Sequence, residues 1–198
     1  MLTRNYIGEE FAALRMLRLF LPARDSFDLP LSWSSMLPVG SELTASVDCN
    51  EIVTAYLAEH PGAVLPQAPL GRLGRDTATA LGEILGPWVS TSSFLHARSW
   101  VGYSAPFTDG ASTSFFDGRE FLHEDIRLAE IIFRGVRDQV PAFVEDPQGS
   151  FAWGTGLYPD SLIVAAEPEL FTALHQDPRL EVVSINSSHD VLPAPFEG

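Results

Sequence analysis

Apolar residues recur along the chain in two rhythms, and each predicts a different kind of element. From Gly8 to Leu21, Phe11, Leu14, Leu17 and Leu21 fall at helical spacing, and Met16, Leu19 and Phe20 widen the apolar face. Pro22 stops the run, so a packed amphipathic helix is expected there. Asp48, with Glu51 three residues on, has the form of a capping box. Ile52, Val53, Tyr56 and Leu57 supply the inward stripe of the helix it opens, which ends before Pro61-Gly62. Asp76 is the expected cap of a third helix, with Ala80, Leu81, Ile84 and Leu85 inward and Gly86-Pro87 at its end. A fourth helix is predicted from Glu124 to Gln139, with Leu128, Ile131, Ile132 and Val136 inward. A short fifth begins at Pro168, buries Leu170, Phe171 and Leu174, and ends at Asp177-Pro178.

The second rhythm is alternation. Phe94 to Tyr103 reads as a strand, with Leu95, Ala97, Val101 and Tyr103 on one face and His96, Arg98 and Trp100 on the other. Asp117-Gly118 between Phe115-Phe116 and Phe121-Leu122 predicts a hairpin. Ser161 to Ala166 and Leu180 to Ile185 are short apolar strands, and the segment between them is long enough for a parallel crossover. The stretch from Ser26 to Val47 has no clean period and reads as a loop with one strand, Glu42 to Val47. Together these predict an α+β fold: a mixed sheet from residues 94–186 with the N-terminal helices packed on it. The expectation is a single domain over residues 1–198. An internal boundary falls at 64–74, where Pro66, Pro69, Gly71 and Gly74 cluster.

Composition changes this picture in one respect. At 198 residues, 45% hydrophobic and 19% charged, the chain can bury a core. Its net charge of -14, however, is concentrated: Asp138 to Gly198 holds ten acidic residues against one arginine, Arg179. All twelve basic residues are arginine, which removes Schiff-base, P-loop and kinase-type lysine chemistry. No cluster of them suits a phosphate backbone, so nucleic acid is not expected as a direct ligand. Cys49 is the only cysteine, so no intrachain disulfide forms. Charges interrupt the apolar start of the chain, which argues against a signal peptide or a spanning helix and for a cytoplasmic location. The acidity favours a protein partner with a basic surface.

From Trp88 to Ile185 the chain resembles a group of uncharacterised α+β proteins from high-GC Gram-positive bacteria. The resemblance rests on Trp100-Val101-Gly102-Tyr103 (W-x-G-Y), Arg119-Glu120-Phe121-Leu122, Ile163-Val164-Ala165-Ala166-Glu167 and Asp177-Pro178-Arg179-Leu180-Glu181 (D-P-x-L-E). Where the group has a tryptophan-rich stretch before the apolar strand, this chain has Tyr158-Pro159-Asp160. The resemblance implies an α+β fold and the cytosol, and no activity.

No pattern here names a catalytic residue, a cofactor or a metal ligand. Ser188-His189-Asp190 has the residue types of a hydrolase triad, but adjacent side chains on an extended segment point to opposite faces. His123-Glu124-Asp125 lacks a second histidine at helical spacing and reads as the start of a helix, whose dipole favours the two carboxylates. Cys49 follows Asp48 at a helix start, where a thiol can become reactive, although a lone cysteine is more often a small buried hydrophobe. Gly154-Thr155-Gly156 precedes no helix and so is no dinucleotide loop. The stretch from Phe151 to Tyr158 is either a loop packed over the sheet or, if exposed, an interface anchor.

Two functional expectations remain, with the balance against an enzyme. One is a non-enzymatic, immunity- or adaptor-like domain that recruits a basic partner through Trp153, Tyr158, Asp160, Glu167 and Glu169. The other is a small-molecule site lined by His96, Arg98, Trp100 and Tyr103.

Overall fold

The computed structural model describes residues 6–89, 93–103, 112–116, 118–156 and 159–186. An α+β architecture emerges, dominated by an eight-stranded sheet. Its strands are β1 (Arg15–Phe20), β4 (Leu95–Trp100), β5 (Thr113–Phe116), β6 (Arg119–Ile126), β7 (Phe143–Glu145), β8 (Phe151–Gly154), β9 (Ser161–Ala166) and β10 (Glu181–Ile185). The spatial order is β10-β1-β9-β8-β7-β4-β6-β5. A small ribbon, β2 (Ala23–Arg24) with β3 (Pro30–Leu31), lies beside it. The helices are α1 (Cys49–Glu59), α2 (Arg75–Leu85), α3 (Leu128–Arg137) and α4 (Pro168–Gln176).

The largest departure from the sequence reading is β1, which replaces the expected Gly8–Leu21 helix. Leu17 and Leu19 point into the helix layer while Met16, Arg18 and Phe20 point to the opposite face, and all five are buried. A strand buried on both faces reads as a continuous apolar run, and such a run mimics helical spacing by chance. Because β1 lies between β9 and β10, the sheet draws on both halves of the chain.

Every hydrogen-bonded neighbour pair in the large sheet is antiparallel, so the sheet is not mixed. The expected crossover does join strands of the same direction: β9 and β10 both run opposite to β1, which is inserted between them. The unit β6-α3-β7 repeats this plan around β4. The predicted hairpin forms β5 and β6, with Phe116 opposite Arg119, Gly118 at φ 71° and Asp117 outside the described residues.

Smaller corrections have local causes. Glu42–Val47 forms no strand. The Asp48 carboxylate accepts from the Asn50 N–H and caps α1, while Glu51 closes no capping box. Gly74 occupies the N-cap of α2, placing Asp76 inside the first turn. Residues 64–74 are stitched to the rest of the fold: Gly71 and Leu73 donate to the carbonyls of Pro159 and Gly135, and Val140 donates to Gly71.

Helices α2, α3 and α4 cover one face of the sheet, with Leu81, Leu85, Ile131, Leu170 and Leu174 against Leu19, Ala97, Val144 and Val164. The described residues cover the other face over only part of its width. Tyr6, Ile7 and Phe11 close over Met16, Ala152, Ile163 and Ala165. Trp33, Met36, Cys49 and Ile52 close over Phe20 and Val183.

Candidate functional site

The remainder of that second face, across β7, β4, β6 and β5, carries polar side chains in register. Glu145 of β7 stands opposite His96 of β4, which stands opposite Asp125 of β6. In the next row Phe143 stands opposite Arg98, and Arg98 opposite His123. Alternation sends the residues between them, Ala97 and Glu124, to the helix side, where Glu124 pairs with Arg134 of α3 at 2.8 Å.

These groups bond to one another. The His96 Nδ1 lies 2.7 Å from an Asp125 oxygen, with the two side chains 59% and 69% exposed. Arg98 donates to Glu145 at 2.5 Å, and its guanidinium lies 4.5 Å from the centre of the Phe143 ring. The His123 Nε2 is 2.6 Å from the Ser114 hydroxyl. Gly8 and Glu10, at the margin of the N-terminal cover, wall the other side. The result is an open groove of about 600 Å³ ringed by these polar side chains. Farther along β4 on the same face, Trp100 is half-buried against Phe121, Ala142 and Phe143.

Of the sequence-predicted pocket, His96 and Arg98 line the groove and Trp100 borders it. The strand ends at Trp100, and Val101–Tyr103 is a 3₁₀ turn; the side chain of Tyr103 lies outside the described residues. His123 and Asp125 correct the earlier reading: they belong to β6, not to a helix N-terminus, since α3 begins only at Leu128. Glu145 and Ser114 are site residues that sequence reasoning missed. For His123 and Asp125 the available signal is the alternation of Phe121, His123 and Asp125 against Leu122, Glu124 and Ile126.

The interface candidates separate. Trp153 is 2% exposed on the helix side and donates its indole N–H to the Pro141 carbonyl, so it cannot anchor a partner. Tyr158 lies outside the described residues, as does Ser188-His189-Asp190. Asp160 accepts from Arg18 and from the Ser161 hydroxyl. Glu167 precedes α4, and Glu169 lies exposed in its first turn. Of the eight described carboxylates in the acidic third, five are engaged. Besides Glu145 and Asp160, the Asp146 carboxylate accepts from the N–H groups of Gln148 and Ser150, Asp177 pairs with Arg179, and Glu181 accepts from the N–H groups of Trp33 and Ser34.

Cys49 is buried, and that burial, reinforced by the neighbouring Asp160 carboxylate, pushes its thiol pKa up. The thiol is therefore held protonated, which removes it as a nucleophile. Among the described residues no group of three or more His, Cys, Asp or Glu is arranged to hold a metal ion, and no helix is long and apolar enough to cross a membrane. No family model, curated protein or solved structure matches the chain.

Proposed function

We propose that the protein is a small-molecule-binding domain whose site is the groove of His96, Arg98, His123, Asp125 and Glu145. One observation carries this reading. On a sheet otherwise sandwiched between apolar layers, the groove is where titratable side chains from three adjacent strands converge beneath no helix among the described residues. Its volume is in the range of small-ligand sites, and a few placed polar groups beside an aromatic patch are what such sites use for orientation and contact. The side chains already hold one another in place, which lowers the ordering cost of binding.

Recruitment of a basic protein through an acidic face has less support. It requires carboxylates free to meet cations, and five of the eight described in the acidic third are committed to arginines or backbone N–H groups. Selective ¹⁵N-histidine spectra test the choice. In a fragment screen, ligands of the groove move the His96 and His123 signals and leave His60 and His175 unmoved. A screen in which no compound does so removes the reading. Retention of a basic protein at low salt, lost as salt rises, would restore the charge-led alternative.

A further inference from the structure

Taking the groove to be the ligand site, we propose that its ligand carries a protonated amine next to an aromatic or aliphatic body. The hydrogen-bond polarity of the groove points to this. An ionised carboxylate can only accept, so the Asp125 contact requires His96 Nδ1 to carry the proton. In the neutral ring that leaves Nε2 as an acceptor. Asp125 and Glu145 each use one oxygen in these pairs and keep a second, and Glu10 adds a third carboxylate from the facing wall. Against these stands one guanidinium, Arg98, already engaged by Glu145. The groove therefore offers acceptors in excess and negative charge in excess, the complement of an ammonium group.

A second observation concerns the kind of surroundings a cation meets here. The Arg98 guanidinium is held between the Glu145 carboxylate and the face of Phe143, 4.5 Å from the ring centre. The fold thus already uses a carboxylate and an aromatic face to hold a cation at this spot. Half-buried Trp100 and the partly exposed Phe116, packed over buried Phe121 and Phe143, continue the apolar surface beyond it, where the body of an amphiphilic amine would lie.

The test compares three probes of one shape: phenethylamine, phenylacetate and 2-phenylethanol, titrated into the ¹⁵N-histidine-labelled protein. Phenethylamine is expected to move His96 and His123 saturably, with binding weakened as ionic strength rises. Asp125→Asn and Glu145→Gln should each weaken it about tenfold or more, as loss of a charge-assisted hydrogen bond does. Circular dichroism shows whether each variant is folded, and two variants on different strands keep the test intact if one is not. If phenylacetate or 2-phenylethanol moves these rings and the amine does not, the amine inference is overturned while the groove stands as a ligand site. Amine binding that survives both substitutions also overturns it. If all three probes leave both rings unmoved, the amine inference falls, and the fragment screen then decides the groove itself.

Discussion

Two halves of one sheet face obey the same geometry and carry opposite chemistry. A single row of cross-strand neighbours runs Ile185, Met16, Ala165, Ala152, then Glu145, His96, Asp125. The first four lie beneath the N-terminal segment and are apolar; the last three face the groove and are polar. The change falls between β8 and β7, where the cover stops. In β8 and β9 every residue is buried, whereas β4 and β6 keep exposed positions along one face. Strand geometry does not require the polar half, since the apolar half shows how the same face can be closed. What separates the halves is that one has its cover among the described residues, and the other has none among them.

The comparison breaks most visibly at its two inward-facing arginines. Arg18 is 0% exposed; it donates to Ser161 Oγ at 2.9 Å, to the carbonyls of Val47 and Ala45, and to Asp160, and it stacks on Phe20. Arg18→Ala would empty a fully buried site and leave two carbonyls and the half-buried Asp160 carboxylate without their donor, at an expected cost of about 3–5 kcal/mol. Arg98→Ala in the open half leaves Glu145 within reach of water and should cost under about 1 kcal/mol. Urea midpoints at unchanged slope measure both. Equal losses would mean that the groove is as structural as the covered half.

A smaller effect is expected at the cover itself. Gly154 of β8 passes directly under the Tyr6 carbonyl, and a Cβ there would collide with it. Gly154→Ala should lift the N-terminal segment and cost about 1–3 kcal/mol, the usual range for overpacking. Hydrogen exchange should quicken at the Phe11 amide, which donates to Gly8, and stay unchanged along β4 and β6. Uniform quickening would show that the cover and the groove are one cooperative unit.

Which parts of this are legible in the sequence depends on the breakers and alternation that mark each element. The Pro168 helix and the hairpin carry such marks, and Ser161–Ala166, although buried on both faces, is a short apolar run bounded by Pro159 and Pro168. Arg15–Phe20 is not legible, because both its faces are buried and period-two alternation disappears. Sequence alone assigns no element to β7 and takes β8 for a packed loop or an exposed anchor, because both strands are short and joined by a turn built on Asp146 and Gly149. The groove was half legible. His96, Arg98 and Trp100 share a face by alternation alone, but their partners depend on β6 extending to Ile126. Charged residues at 123–125 suggested a helix start, and that assignment placed His123 and Asp125 in the wrong element. Glu145 required knowing that β7 pairs with β4, a contact between distant segments that no local pattern reveals.

Within the groove, stability and binding should separate. His96→Ala, His123→Ala and Ser114→Ala remove exposed pairs and are expected to change stability by no more than about 0.5 kcal/mol. The same changes should abolish the histidine-detected ligand response or displace it to the ring that remains. A loss of stability comparable to that of Gly154→Ala would instead assign these side chains to the scaffold.

The weakest effect belongs to an arginine outside both halves. Arg179, beyond the end of α4, donates to Asp177 through its side chain and its backbone N–H, and also reaches Glu83 on α2 at 2.7 Å. The Arg179 side-chain hydrogen bonds, then its backbone N–H, hold the Asp177 carboxyl below its ordinary pKa of 3.8. A carboxyl whose folded pKa is depressed binds its proton more weakly in the folded state than in the unfolded chain. Its contribution is therefore complete above 3.8 and is lost as pH falls through the lower folded value. Because the Arg179 side chain is exposed, whereas that of Arg18 is fully buried, solvent and salt screen this pair, and the difference should be far smaller than that caused by Arg18→Ala. Denaturation midpoints at pH 5 and below pH 4 should differ slightly less in Asp177→Asn than in the parent chain. If that variant instead removes most of the acid sensitivity, a surface pair rather than the covered Arg18–Asp160 pair fastens the fold, and burial is not what ranks the arginines.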